Sequence, residues 1–290
     1  MEISHYSSLI ETINKLGLKP RKRLGQNFLV SDAVLAKIIK AAELSNEDIV
    51  LEVGSGLGIL TQALSERVHK VIAVELDRRL AGLLIKQLAD KTNIAVINGD
   101  ILKMSLSQLI GGTKSEPEGN YSGIRQRYKV VANLPYYITS PVLRYFLELE
   151  NKPTIMVIMV QKEVAEVITA KPGDMSLLSV SVQLYGKPSI VDYISPDSFF
   201  PPPKVDSAIV RIDVFEKPAV MVDDIGRFFQ VVAAGYSSRR KQLHNSLQHG
   251  LQIDPDIITA CLEAANIDGK KRAQSLSLVE WAKLYQALSN

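Results

Sequence analysis

Between residues 49 and 160 the chain alternates short, nearly continuous apolar runs with longer stretches of helical spacing. The runs Ile49–Val53, Lys70–Val74, Ile94–Ile97, Lys129–Ala132 and Thr154–Val160 are rich in β-branched residues, as strands buried on both faces of a parallel sheet are. Helical spacing fills 59–67, 78–90 and 140–150. An earlier helix over 32–43 is predicted by Val34, Leu35, Ile38, Ile39 and Ala42, with Ser31 or Asp32 as its N-cap. The alternation predicts an α/β fold, a doubly wound and mostly parallel sheet. Two later runs, Ser176 to Tyr185 and Val205 to Val214, are expected to complete the sheet's edge as antiparallel strands. The stretch Gly111 to Arg127 is polar and glycine-rich, which predicts a mobile surface excursion. After Glu216-Lys217-Pro218 only helical spacing remains, over 223–235, 239–249, 255–265 and 276–288. The predicted organisation is therefore an α/β domain over 1–215 and a small C-terminal all-α domain over 216–290.

Composition narrows the class without deciding it. The 290 residues are 46% hydrophobic, enough for a packed core. No apolar run has the length of a membrane span, and the N-terminus lacks a basic segment followed by an apolar one, so a cytoplasmic location is expected. One cysteine, Cys261, excludes an internal disulfide, and four scattered histidines offer no zinc spacing; no metal is expected. The net charge of +3 hides clumps: Lys19, Arg21, Lys22 and Arg23; Arg239, Arg240 and Lys241; Lys270, Lys271 and Arg272. A basic clump is a solvated face as readily as a phosphate contact.

The candidate chemistry sits at strand ends. Glu52-Val53-Gly54-Ser55-Gly56-Leu57-Gly58 closes the first strand and opens a helix, where backbone N–H groups and small residues admit a ligand close to the chain. Its G-x-G-x-G spacing lacks the last glycine position of a dinucleotide fingerprint. Glu75 ends the next strand, where a carboxylate can accept both ribose hydroxyls, and Asp100 ends the third, placed to accept from an adenine amine. Each alone could be a cap or a loop acid. Three in register along the edge where open α/β sheets bind ligands fit S-adenosylmethionine better than a dinucleotide, because nothing is dedicated to a pyrophosphate.

Asn133-Leu134-Pro135-Tyr136 follows the fourth run. Alone, the tetrad could be an ordinary turn with a buried tyrosine. At the edge of this sheet it has the residue types to hold an exocyclic amine for alkylation. The amine's lone pair is delocalised into its ring, so a site must favour the tetrahedral nitrogen of the transition state. The Asn133 side-chain carbonyl and a backbone carbonyl at Leu134 or Pro135 can accept its N–H bonds, while Tyr136 offers a flat face to the base.

With these motifs in order, the chain resembles the S-adenosylmethionine-dependent ribosomal RNA adenine dimethyltransferases of the small subunit. Lys22-Arg23-Leu24-Gly25-Gln26-Asn27-Phe28-Leu29 is similar to the family's N-terminal signature, and Phe199-Phe200-Pro201-Pro202-Pro203-Lys204-Val205-Asp206-Ser207 to its target-base loop. Ser238 to Leu247 and Lys271 to Ser277 are similar to two signatures of its C-terminal helical domain. The resemblance implies a Rossmann-like class I methyltransferase domain that uses S-adenosylmethionine to dimethylate N6 of two adjacent adenosines near the 3′ end of 16S ribosomal RNA. It implies action on small-subunit RNA within an assembling ribosomal particle; a monomer, without metal or membrane, is expected. It also implies roles: Asn27 and Leu29 against the cofactor, Gly54 near its methionine moiety, Glu75 on the ribose, Asp100 on the adenine, Asn133 between cofactor and target amine. Leu134 and Tyr136 join it, with Phe199 as the second aromatic wall and Phe200 as a structural neighbour. Lys22, Arg23, Arg239, Arg240 and Lys241 are the candidate RNA contacts. The 111–127 excursion departs from the family pattern. Competing readings are a methylase of large-subunit RNA, against which the Lys271–Ser277 signature argues, a noncatalytic RNA- or DNA-binding member of the fold, and a DNA adenine methylase, for which no sequence-reading domain is visible.

Overall fold

A computed structural model describes residues 19–110, 127–238 and 240–289. Its strands are β1 (Phe28–Leu29), β2 (Ile49–Val53), β3 (Lys70–Glu75), β4 (Ile94–Asn98), β5 (Tyr128–Asn133), β6 (Ile155–Gln161), β7 (Gly186–Ile194), β8 (Phe199–Phe200) and β9 (Ser207–Val214). Seven form one sheet in the order β4-β3-β2-β5-β6-β9-β7. The pairs β4–β3, β3–β2, β2–β5 and β5–β6 are parallel, and β9 returns antiparallel beside β6. Every residue of β2 is buried, as a strand covered on both faces must be. On one face Val50, Val71, Val131, Val157 and Ile209 pack with Val34 and Ile38 of the helix Asp32–Ala41 and with Leu60 and Leu64 of the helix Ile59–Ser65. The first of these helices starts where the Ser31 side chain accepts the Val34 N–H.

Two short strands make a separate pair. β1 lies antiparallel to β8 with Phe28 opposite Phe200 and Leu29 opposite Phe199. Successive strand residues point to opposite faces. Phe199, only 3% exposed, therefore enters the core with Leu29, Val34 and Ile38, while Phe200 packs beside Phe28, Leu57 and Leu80.

The edge of the sheet differs from the sequence expectation. Residues 177–183 are a helix, not a strand; Ser176 and Ser179 cap it reciprocally, each side chain accepting the other's backbone N–H. The Gln183 amide then donates to the Ile168 and Ala170 carbonyls. The edge strand is β7, which begins where that helical segment ends. The short apolar run was compatible with either period, and the capping box decides it.

The chain divides into two compact units, one of Met1–Ala165 with Ser189–Val214 and one of Glu166–Pro188 with Phe215–Asn290. A split at 215/216 is thus incomplete, because Glu166–Pro188 belongs with the C-terminal helices. It is held there by Gln274, whose side chain donates to the Gly173 carbonyl at 2.9 Å, and by the N–H of Phe215 on the Tyr185 carbonyl at 2.8 Å. In this second unit the helices Ile225–Gly235, Leu243–Leu251, Pro255–Ala264 and Leu278–Ser289 surround Trp281 and Phe228, both fully buried. The excursion expected over 111–127 lies outside the described residues apart from Arg127. No helix among the described residues is long and apolar enough to cross a membrane.

Removing the ring that enters the core should be costly. Phe199→Ala is expected to lose roughly 3–5 kcal/mol of unfolding free energy, the range for a buried phenylalanine. Urea denaturation measures it, and a loss below about 1 kcal/mol would contradict a core position for this ring.

Candidate active site

A cavity of about 340 Å³ opens at the carboxyl ends of β2, β3, β4 and β5. Asn27, Leu29, Gly54, Glu75, Asp100, Asn133, Leu134 and Tyr136 all line it, so eight residues singled out from separate motifs meet in one place. Phe199 does not. As the wall opposite Tyr136 it is corrected, since strand pairing with Leu29 turns its ring into the core.

The loop after β2 owes its shape to backbone that a side chain would strain. Gly54 and Gly56 have φ of 76° and 57°, which glycine adopts at no steric cost. The Gly54 N–H donates to the Val74 carbonyl at 2.8 Å, and the Gly56 N–H donates to Glu75 Oε2 at 2.8 Å. Asp77 gives its N–H to the other oxygen, Oε1, at 2.8 Å. Glu75 thereby joins the glycine loop to the end of β3. Burial raises its pKa, and the two backbone donors partly offset that rise.

Two neighbours of Glu75 are tuned in opposite directions. Glu52, 1% exposed, accepts the Thr61 hydroxyl at 2.6 Å, and burial pushes its carboxyl up to about 8. Asp77 is also buried, but hydrogen bonds from the Arg79 guanidinium hold its carboxyl down at about 2. Neither was singled out from sequence. Both sit beside motif residues, yet only the fold shows what each one faces.

The Asn133 tetrad is fixed at every polar atom the structure pairs. The Asn133 Nδ2 donates to the Asn27 carbonyl at 3.1 Å, which leaves Oδ1 as the acceptor offered to the cavity. The Ile138 N–H donates to the Pro135 carbonyl at 3.0 Å and closes the turn. The Tyr136 hydroxyl and Ser207 Oγ lie 2.7 Å apart, which locks the ring as a wall. Sequence reading missed Tyr137, whose ring is 54% exposed at the mouth and whose pKa is raised by burial and by Asp100 and Glu75. A Cβ on Gly25 would lie 3.4 Å from it.

Asp100 caps the turn that follows β4, accepting the Leu102 N–H at 3.1 Å, with Lys103 at 3.7 Å. Ser55 Oγ is buried on the cavity wall with no hydrogen-bond partner among the described residues. An orphaned hydroxyl in a cavity lined by three carboxyl groups and exposed apolar faces such as Leu76 fits a polar ligand with a flat ring. Among the described residues no group of three or more His, Cys, Asp or Glu side chains is placed to hold a metal ion.

Known proteins resemble this chain in sequence and in fold. The family model described as ribosomal RNA adenine dimethylase matches residues 17–284. The chain belongs to the ribosomal RNA adenine dimethylase family. It is 48% identical over 269 residues to the ribosomal RNA small subunit methyltransferase A of a Dehalococcoides mccartyi strain, covering 92% of this chain and 88% of the relative. It is 41% identical to the protein of the same name from Alkaliphilus metalliredigens, over 94% of this chain and 93% of that one. Among solved structures, a dimethyladenosine transferase from Plasmodium falciparum superposes with a TM-score of 0.73 at 28% identity, over 89% of this chain and 95% of that one. The 23S rRNA methyltransferase ErmE does so with 0.69 at 27% identity, over 91% and 100%. This chain is accordingly an rRNA adenine dimethyltransferase by family, and an enzyme.

Of the candidate RNA contacts, Lys22 and Arg23 are exposed on a short turn that ends at Gly25, beside the cavity. Arg240 and Lys241 are exposed in the second unit, and Arg239 lies outside the described residues. Lys271 pairs with Glu280 at 3.1 Å, which gives that clump a structural use.

The carboxyl of Glu52 yields a prediction about pH. Its folded pKa is raised from 4.5 to about 8, so its contribution to stability is fully present below about pH 4.5 and is lost as pH rises through 8. Replacing it with the permanently neutral Gln, which can still accept from Thr61, should flatten that decline. Melting temperatures of the ligand-free protein measured from about pH 5 to about pH 9 should fall for wild type and diverge upward for Glu52→Gln. Parallel curves would mean that the carboxyl is ionised throughout.

Proposed function

We propose that this chain transfers methyl groups from S-adenosylmethionine to N6 of two adjacent adenosines near the 3′ end of small-subunit ribosomal RNA, within an assembling particle. The observation that carries the chemistry is the Asn133 carboxamide. Its nitrogen is spent on the Asn27 carbonyl, so its oxygen faces the cavity next to Gly54 and Tyr136. Bound S-adenosylmethionine supplies a methyl group on a sulfonium, already activated for displacement. Glu75 accepts from the ribose hydroxyls and Asp100 from the adenine amine, while Gly54 gives close approach and Asn27 and Leu29 close the site from the N-terminal side. Asn133 Oδ1 and the Leu134 carbonyl accept the two N–H bonds of the target amine, favouring the tetrahedral nitrogen over the planar one.

No strong base is required. The alkylated nitrogen is cationic and gives its proton to water, and alignment supplies most of the acceleration. The second transfer is the harder to orient, because one N–H remains for two acceptors. A base inside a stacked helix is out of reach, so the adenosine must turn outward to lie on Tyr136. Phosphate attraction falls to Lys22, Arg23, Arg239, Arg240 and Lys241.

Asn133→Ala should lower single-turnover methyl transfer on the order of 10²-fold and leave RNA affinity in filter binding unchanged. Equal losses in both would reduce Asn133 to a binding residue. Glu75→Ala should weaken cofactor binding by on the order of 1.5–3 kcal/mol, since it removes charge-assisted hydrogen bonds. Calorimetry decides this, and an unchanged dissociation constant would take Glu75 out of the ligand site.

A further inference from the structure

Asp77 has more partners than its place in the fold needs. It caps the helix Arg78–Gln87 by accepting the Arg79 N–H at 3.0 Å, a task that serine or asparagine performs equally well. Yet its side chain is completely buried, and its two oxygens also take Arg79 Nη2 at 2.9 Å, Gln26 Nε2 at 3.2 Å and an ion pair with Arg21 at 3.4 Å. Two of those partners come from the N-terminal segment, far away in sequence. The Gln26 side chain is itself held from both sides, because its Oε1 accepts the backbone N–H of Arg21 at 2.7 Å.

The next residue along is Asn27, whose carbonyl takes the Asn133 Nδ2. That bond decides which way the Asn133 carboxamide points. Without the Asn27 carbonyl, the amide can turn over and present N–H groups to an amine that needs acceptors. The neighbouring geometry is equally constrained, since Gly25 has a φ of 59° and packs against Pro135 and Tyr137. On the other side, the Asp77 N–H braces Glu75. One residue therefore touches both the ribose-site acid and the segment that orients the target-site amide.

We propose that Asp77 is a positioning residue for methyl transfer, its carboxylate clamping Gln26 and Arg21 so that the Asn27 carbonyl holds Asn133 Oδ1 toward the target amine. The clamp stays charged at neutral pH, because the Arg79 guanidinium holds the Asp77 carboxyl well below that range. This rests on the role given to Asn133 above.

The informative variant is Gln26→Ala, which cuts the Gln26 arm of the clamp, the one joined directly to Asn27, but leaves Asp77 with its cap and both arginines. Hydrogen exchange read on peptides covering residues 21–29 should become at least tenfold faster, with an unchanged melting temperature. Single-turnover transfer at saturating S-adenosylmethionine and RNA should fall between about ten- and a hundredfold, the scale of a ~1 Å misplacement. Added to Asn133→Ala, Gln26→Ala should slow transfer no further, because both act on one amide. Additive losses, or wild-type exchange over 21–29, would overturn the clamp. A wild-type rate for Asn133→Ala alone would instead overturn the reading of Asn133, a failure that the exchange measurement separates from that of the clamp.

Discussion

Two backbone N–H groups converge on the carboxylate of Glu75, from Gly56 on one side and Asp77 on the other, and the cavity takes its form from that meeting. The glycines of the loop after β2 have no side chains of their own to hold it, and Leu57 anchors it among Phe28 and Leu80. Its left-handed backbone is kept in place by a strand-end acid that sits in the next strand, in register with Asn98 of β4. The same acid is left with lone pairs facing the cavity. A parallel sheet makes this possible, because all of its strand ends of one sense fall on one edge.

The electrostatics of that edge follow from burial together with what each acid faces. Glu52 and Asp77 are equally inaccessible to water. Burial raises Glu52 to about 8, with Glu75 adding to the rise and the Thr61 hydroxyl opposing it; hydrogen bonds from Arg79 first, and from Gln26, lower Asp77 to about 2. The charged Asp77 side chain ties Gln26 and Arg21 of the N-terminal segment to the start of the helix Arg78–Gln87.

Much of this was legible in the chain itself. The β-branched runs suit buried parallel strands, and residues that follow successive strands of such a sheet share an edge, so Glu75, Asp100 and Asn133 belong together on the pattern alone. What was not legible depended on partners distant in sequence. Phe199 and Phe200 are equivalent as residue types, and the pairing of β8 with β1 sends the first to the core. Residues 176–185 carry a run that suits strand and helix alike, and the Ser176–Ser179 cap resolves it. Glu52 and Asp77 lie next to recognised motifs, but their roles come from Thr61 and from Gln26. The Glu166–Pro188 limb of the second unit has no compositional boundary; its attachment runs through Gln274 and through the Phe215 N–H on the Tyr185 carbonyl.

The account turns on what the cavity at the carboxyl edge makes. Purified protein incubated with unmethylated small ribosomal subunits and S-adenosylmethionine carrying a labelled methyl group, followed by digestion to nucleosides, reads this directly. Label should accumulate in N6,N6-dimethyladenosine, passing through N6-methyladenosine, and should map to two adjacent adenosines near the 3′ end of the small-subunit RNA. Label confined to another nucleoside, or to large-subunit RNA supplied in the same mixture, would contradict the account.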